Sequence, residues 1–104
     1  MKYQVVVEEA AEEDLEAIVL WIAQSSEHAA LAWYWKVQEA ISSLERFPLR
    51  CPIAPESKEF DEEIRQLLQG RGRYVYRVLF TVQEGSVRVL HVRHGSQAWL
   101  RPED

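Results

Sequence analysis

One cysteine in 104 residues, Cys51, excludes an internal disulfide and any zinc site built from several thiolates. No apolar run approaches the roughly 20 residues of a membrane span, and Met1-Lys2-Tyr3-Gln4 opens no secretion signal, so a cytoplasmic protein without membrane contact is expected. With four Gly and four Pro the punctuation falls in a few places only, and neither a repeat nor a low-complexity stretch is present. Bases are scarce too: 12 Lys plus Arg face 17 Asp plus Glu, a net charge of -5 that argues against a general nucleic-acid coat. What is abundant is core material, with 47% apolar and 11% aromatic residues, enough for one globular domain over residues 1–104.

The charge is unevenly distributed. Residues 1–63 carry 14 acids and five bases, whereas residues 64–104 carry three acids and seven bases, all arginine: Arg65, Arg71, Arg73, Arg77, Arg88, Arg93 and Arg101. Guanidinium offers a planar two-point fork for carboxylate or phosphate that ammonium lacks, so the C-terminal part is where an anionic partner is expected.

Tyr3, Val5 and Val7 alternate as in a short strand. From Ala11 to about Gln24, Ala11, Leu15, Ile18, Val19 and Ile22 recur at helical spacing behind acids that suit a helix start. Ser25 and Ser26 offer a cap for a second helix with Ala30, Trp33, Val37, Ala40, Ile41 and Leu44 on one stripe, ending near Phe47 before Pro48. A Pro48, Pro52 and Pro55 loop follows, then strands at Ile64–Leu68, Tyr74–Val82 and Val87–Arg93, with Glu84-Gly85 as a two-residue hairpin loop. The expected architecture is α+β, βααβββ: an N-terminal strand, a two-helix hairpin and a three-stranded antiparallel sheet. That hairpin loop pairs Phe80 with Val89, Val78 with His91, and Tyr76 with Arg93. Both faces then carry apolar residues, so helices cover one and a loop, a tail or a partner chain the other.

The residues resemble the RelE/ParE toxin superfamily of bacterial type II toxin-antitoxin systems. The matching blocks are Asp14-Leu15 with Ile18 and Ile22; Trp33 with Ala40-Ile41 and Leu44; Phe47-Pro48, Arg50-Cys51-Pro52 and Ala54-Pro55-Glu56; Ile64 to Leu68; Tyr76 to Phe80; and Val89 to Gly95. The resemblance implies a toxin neutralised by a cognate antitoxin, in a hetero-oligomer, with no cofactor. RelE-like members are mRNA endonucleases acting in the ribosome, and ParE-like members inhibit DNA gyrase. Arg77 sits where RelE-like toxins carry a strand arginine that grips the scissile phosphate, and Arg65 resembles one of their basic positions. The next catalytic arginine of that branch is Gln97 here, and no tyrosine follows it. The ParE-like reading is therefore preferred, with a ribosome-dependent endoribonuclease and a weakly active antitoxin-binding homologue as alternatives.

Were RNA cleaved, Arg77 and Arg93 would stabilise phosphorane charge and His94 would move protons. Arg65, Arg73 and Trp35 are candidate binding residues, Trp35 because it lies some 200 degrees around the helix from Trp33. His91 is expected to pack on the sheet, Cys51 to pack in the loop, and the acids from Glu8 to Glu16 to be solvated, with no metal bound. As a strand arginine that positions anions, Arg77 is expected to be dispensable for folding.

Overall fold

The computed structural model describes residues 2–103. Strand β1 (Gln4–Val7) precedes helices α1 (Glu9–Ala23) and α2 (Glu27–Ser42), and strands β2 (Arg65–Gln69), β3 (Tyr76–Gln83) and β4 (Ser86–His94) follow, so the expected element order is the observed one. Ser26 caps α2 by accepting a 3.0 Å hydrogen bond from the Ala29 N–H. The helix stops at Ser42, earlier than Phe47, because Ser43–Glu45 tighten into a 3-10 turn. Pro48 bars helical backbone at Phe47, which takes a left-handed φ of 48°.

The sheet has four strands in the order β1-β4-β3-β2. β1 joins it parallel to β4, Val7 facing Val89, while β2–β3 and β3–β4 are antiparallel. Glu84 (φ 41°) and Gly85 (φ 82°) turn the last hairpin as expected. Pairing from Gln83–Ser86 to Phe80–Val89 also follows the expected register, but a β-bulge at Leu90 then moves β4 on by one residue. His91 faces Leu79, Val92 faces Val78, Arg93 faces Arg77 and His94 faces Tyr76, which corrects the expected Val78–His91 and Tyr76–Arg93 pairs.

The bulge lies where β1 runs out. Beyond Val89 the outer edge of β4 has no strand partner, and Asp14 of α1 takes that place: its Oδ2 accepts the Val92 N–H at 2.9 Å and stands 2.9 Å from His91 Nδ1. His91 is thus tied to a helix as well as packed on the sheet. Glu8 likewise pairs with Arg88 at 2.7 Å, so two of the acids expected to be solvated hold α1 to the sheet.

Two apolar clusters form, one on each face. Ala11, Leu15, Val37, Ile41 and Leu44 from the helices pack on Tyr76, Val78, Phe80, Val87, Val89 and Val92. On the other face Leu79 meets Ala54, Ile64 and Leu100, with Phe60 and Leu90 alongside. The proline loop and the C-terminal segment of the same chain therefore cover the second face. Cys51 is buried in the helix-side cluster as expected, and burial pushes its thiol pKa up against the lowering pull of Arg50 and Arg65.

Candidate functional site

The arginines of the sheet are held in quite different ways. Arg77 is buried, and its side chain meets Glu56 through both terminal nitrogens, Nη1 to Oε2 at 2.9 Å and Nη2 to Oε1 at 2.6 Å. Nε and Nη2 also donate to Gln66 Oε1 at 2.9 and 2.8 Å. Glu56 is completely buried and accepts a further hydrogen bond, 3.1 Å, from the Leu100 N–H. Burial by itself would raise its carboxyl pKa. The hydrogen bonds from Arg77, from the Leu100 backbone and from its own backbone, with the charge of Arg77, outweigh that and hold it below the ordinary carboxylate range.

An arginine expected to face an anionic ligand is therefore the cation of an internal salt bridge, and the expectation that it is dispensable for folding is reversed. Removing one partner of a buried ion pair leaves an uncompensated charge. Glu56 and Gln66 entered the sequence reading only as members of the resemblance blocks, with no partner assigned: an acid after Pro55 and an amide on a strand show no role until the fold carries them to Arg77.

Arg65 bridges the loop to β2, donating to Glu63 Oε1 at 2.8 Å and to the Cys51 carbonyl at 2.6 Å. Arg88 is shared between Glu8 and, at 3.5 Å, Glu62. Among the described residues, Arg93 donates only from Nη2 to the Ala98 carbonyl, at 3.2 Å, and its Nε is buried without a partner. Arg73 is exposed on the turn between β2 and β3.

His94 fastens that turn to the end of β4. Its Nε2 lies 2.8 Å from the Arg73 carbonyl, which can only accept, so Nε2 carries the proton. Nδ1 lies 2.7 Å from the Ser96 hydroxyl oxygen and 3.0 Å from the Ser96 backbone nitrogen, so both ring nitrogens are engaged within the turn. Gln97 turns its side-chain oxygen to the His94 N–H, closing the turn in which the resemblance places a catalytic arginine. Arg77 and Arg93 stand on one sheet face; His94, facing Tyr76, is on the other, its ring edge-on to Tyr76 with centroids 5.1 Å apart. The three candidate catalytic residues thus do not converge on one point.

A second feature lies where the helical hairpin overhangs the ends of β2 and β3. Trp21, Ile22, Ala29, Ala32, Trp33 and Tyr74 help line a groove of about 670 Å³, together with Lys36, Gln69 and Gly70. Trp21 and Tyr74 are 67% and 68% exposed, a large apolar area for a surface. The buried atoms Trp33 Nε1 and Gln69 Oε1 have no hydrogen-bond partner among the described residues. Trp35 is 62% exposed, rests edge-on against Tyr34, and is not part of this groove. Sequence periodicity found Trp33 and Trp35 but not Trp21 or Tyr74, whose importance depends on packing between elements distant in sequence.

A strand, a helical hairpin and an antiparallel sheet that takes the first strand back in parallel define the α+β fold of solved toxin-antitoxin structures. The chain superposes with a TM-score of 0.71 on a structure of the chromosomal ParDE system from P. aeruginosa, at 18% identity over 89% of this chain and 96% of that one. It also resembles chains from the RelBE2 complex of Mycobacterium tuberculosis and the archaeal RelE-RelB complex of Pyrococcus horikoshii OT3. Both give a TM-score of 0.52, at 24% and 21% identity, covering 90% and 94% of this chain and 99% and 100% of those chains. No curated protein matches the sequence. Residues 5–99 match the ParE toxin of the type II toxin-antitoxin system parDE, and the chain belongs to that family.

Proposed function

We propose that this toxin arrests growth by inhibiting DNA gyrase, without cutting RNA, and that a cognate antitoxin neutralises it. Arg77 carries the reading. A ribonuclease of this fold needs cationic groups free to meet a developing phosphorane, and here every guanidinium nitrogen of the central strand arginine is engaged by Glu56 or Gln66. The engagement of both His94 ring nitrogens within the turn and the use of Gln97 as a turn cap support the same conclusion.

The antitoxin reading draws on the parDE match and on the aromatic groove, whose largely apolar lining with Lys36 suits an amphipathic segment carrying acidic residues. Arg65, Arg73 and Trp35 stand as further contact residues outside its lining.

Induction without antitoxin, followed by assay of purified gyrase, tests the function. Supercoiling by gyrase is expected to fall with added toxin while transcripts stay intact. Cut transcripts with normal supercoiling would establish the endoribonuclease instead, and undisturbed growth at full expression would establish a binding homologue without toxicity.

A further inference from the structure

Arg77 and Arg93 face each other across β3 and β4, an arrangement that places like charges side by side. Glu56 neutralises Arg77 alone. Among the described residues no carboxylate pairs with Arg93. Guanidinium cannot lose its proton, so the charge persists, and its Nε–H is withdrawn from water with no acceptor supplied in exchange. Its one side-chain hydrogen bond among the described residues, to the Ala98 carbonyl at 3.2 Å, is a long one for a charged donor. Its acceptor lies in a segment without regular structure, anchored in the second apolar cluster by Leu100.

We propose that Arg93 binds a carboxylate of an acidic polypeptide, which takes up the guanidinium face now covered by the Ala98 carbonyl. Arg77 supplies the pattern: a planar carboxylate meets a planar fork at two points, as Glu56 does one strand away. With Arg77 neutralised, Arg93 contributes one net positive charge to this face, matching a monoanion. An acidic polypeptide presents its carboxylate on a short, flexible side chain that can orient to the planar fork, whereas a phosphodiester is held between two sugars. The inference deepens the antitoxin reading and rests on it only for which polypeptide carries the carboxylate.

Arginine Nε–H signals in proton–nitrogen correlation spectra of the full chain provide the test, with hexaglutamate and a thymidine hexanucleotide as probes. Hexaglutamate is expected to shift the Arg93 Nε–H saturably and leave that of Arg77 in place. Arg93→Gln is expected to bind the peptide roughly tenfold more weakly, the loss of one charge-assisted contact, and Arg93→Lys to fall between. Arg93→Lys keeps the charge and stem, so it remains informative if Arg93→Gln does not fold. Shifts confined to Arg71 and Arg73, undiminished binding by the Arg93 variants, or tighter binding of the oligonucleotide would each overturn the proposal. None of these readings involves gyrase or the antitoxin, so failure here and failure of the proposed function are separate results.

Discussion

Replacing Arg77 with alanine should test the buried salt bridge more severely than any other single change. The variant leaves Glu56 with no solvent exposure and only the Leu100 N–H and local backbone to oppose its charge. Breaking a buried pair from one side costs about 3–5 kcal/mol, and in a domain of this size that lowers Tm by roughly 15–25 °C.

The pH dependence supplies the sign. In the parent protein the folded-state pKa of Glu56 is lowered from 4.5, so the unfolded chain binds more protons in acid; the stabilisation from this pair is complete above the unfolded value and is lost as pH falls through the folded one. Without Arg77, burial dominates and raises the folded-state pKa, so that variant is relieved by acidification. The stability difference between the two proteins, measured by urea unfolding from pH 7 towards pH 4, should therefore shrink. Arg77→Ala within about 1 kcal/mol of the parent at pH 7 would refute the reasoning, since that is what an exposed ion pair costs. A Glu56→Gln and Arg77→Ala cycle isolates the coupling, which should exceed about 2 kcal/mol.

Four other outcomes follow from the packing. Leu100→Ala should cost about 2 kcal/mol, the loss of a buried leucine's contacts, and should open Glu56 to solvent, seen as lower chemical stability and faster exchange of the Leu100-position amide. Asp14→Ala should leave the Val92 N–H and His91 without their partner, costing about 1–3 kcal/mol with the Val92 amide losing exchange protection, and Asp14→Asn should retain part of the effect. Gly70→Ala should be among the worst loop changes, because a Cβ there meets the Tyr74 carbonyl oxygen at 2.1 Å and the backbone φ is +101°; Gly85→Ala, with open space around it, should cost only about 1 kcal/mol of strain. Trp21→Glu should leave Tm nearly unchanged, since the side chain is mostly exposed, yet weaken antitoxin binding by about 2 kcal/mol or more in calorimetry.

Sequence alone determined the elements and their order, because helical and strand periodicity, the Ser26 cap, the Pro48 stop and the Glu84-Gly85 turn are local properties of the backbone and its nearest side chains. It also placed an arginine-rich surface in the C-terminal part and, through residue blocks spread along the chain, the family. Only the tertiary structure decided what those arginines do. The Leu90 bulge, which shifts the faces of β4, follows from where β1 ends and Asp14 begins, partners more than 70 residues away in sequence. Arg77 finds Glu56 only 21 residues away in sequence, yet through a loop whose path depends on the whole second cluster. Local pattern carries no information about such meetings, so a residue's type foretold that it would seek an anion, and the fold chose which arginine already has one.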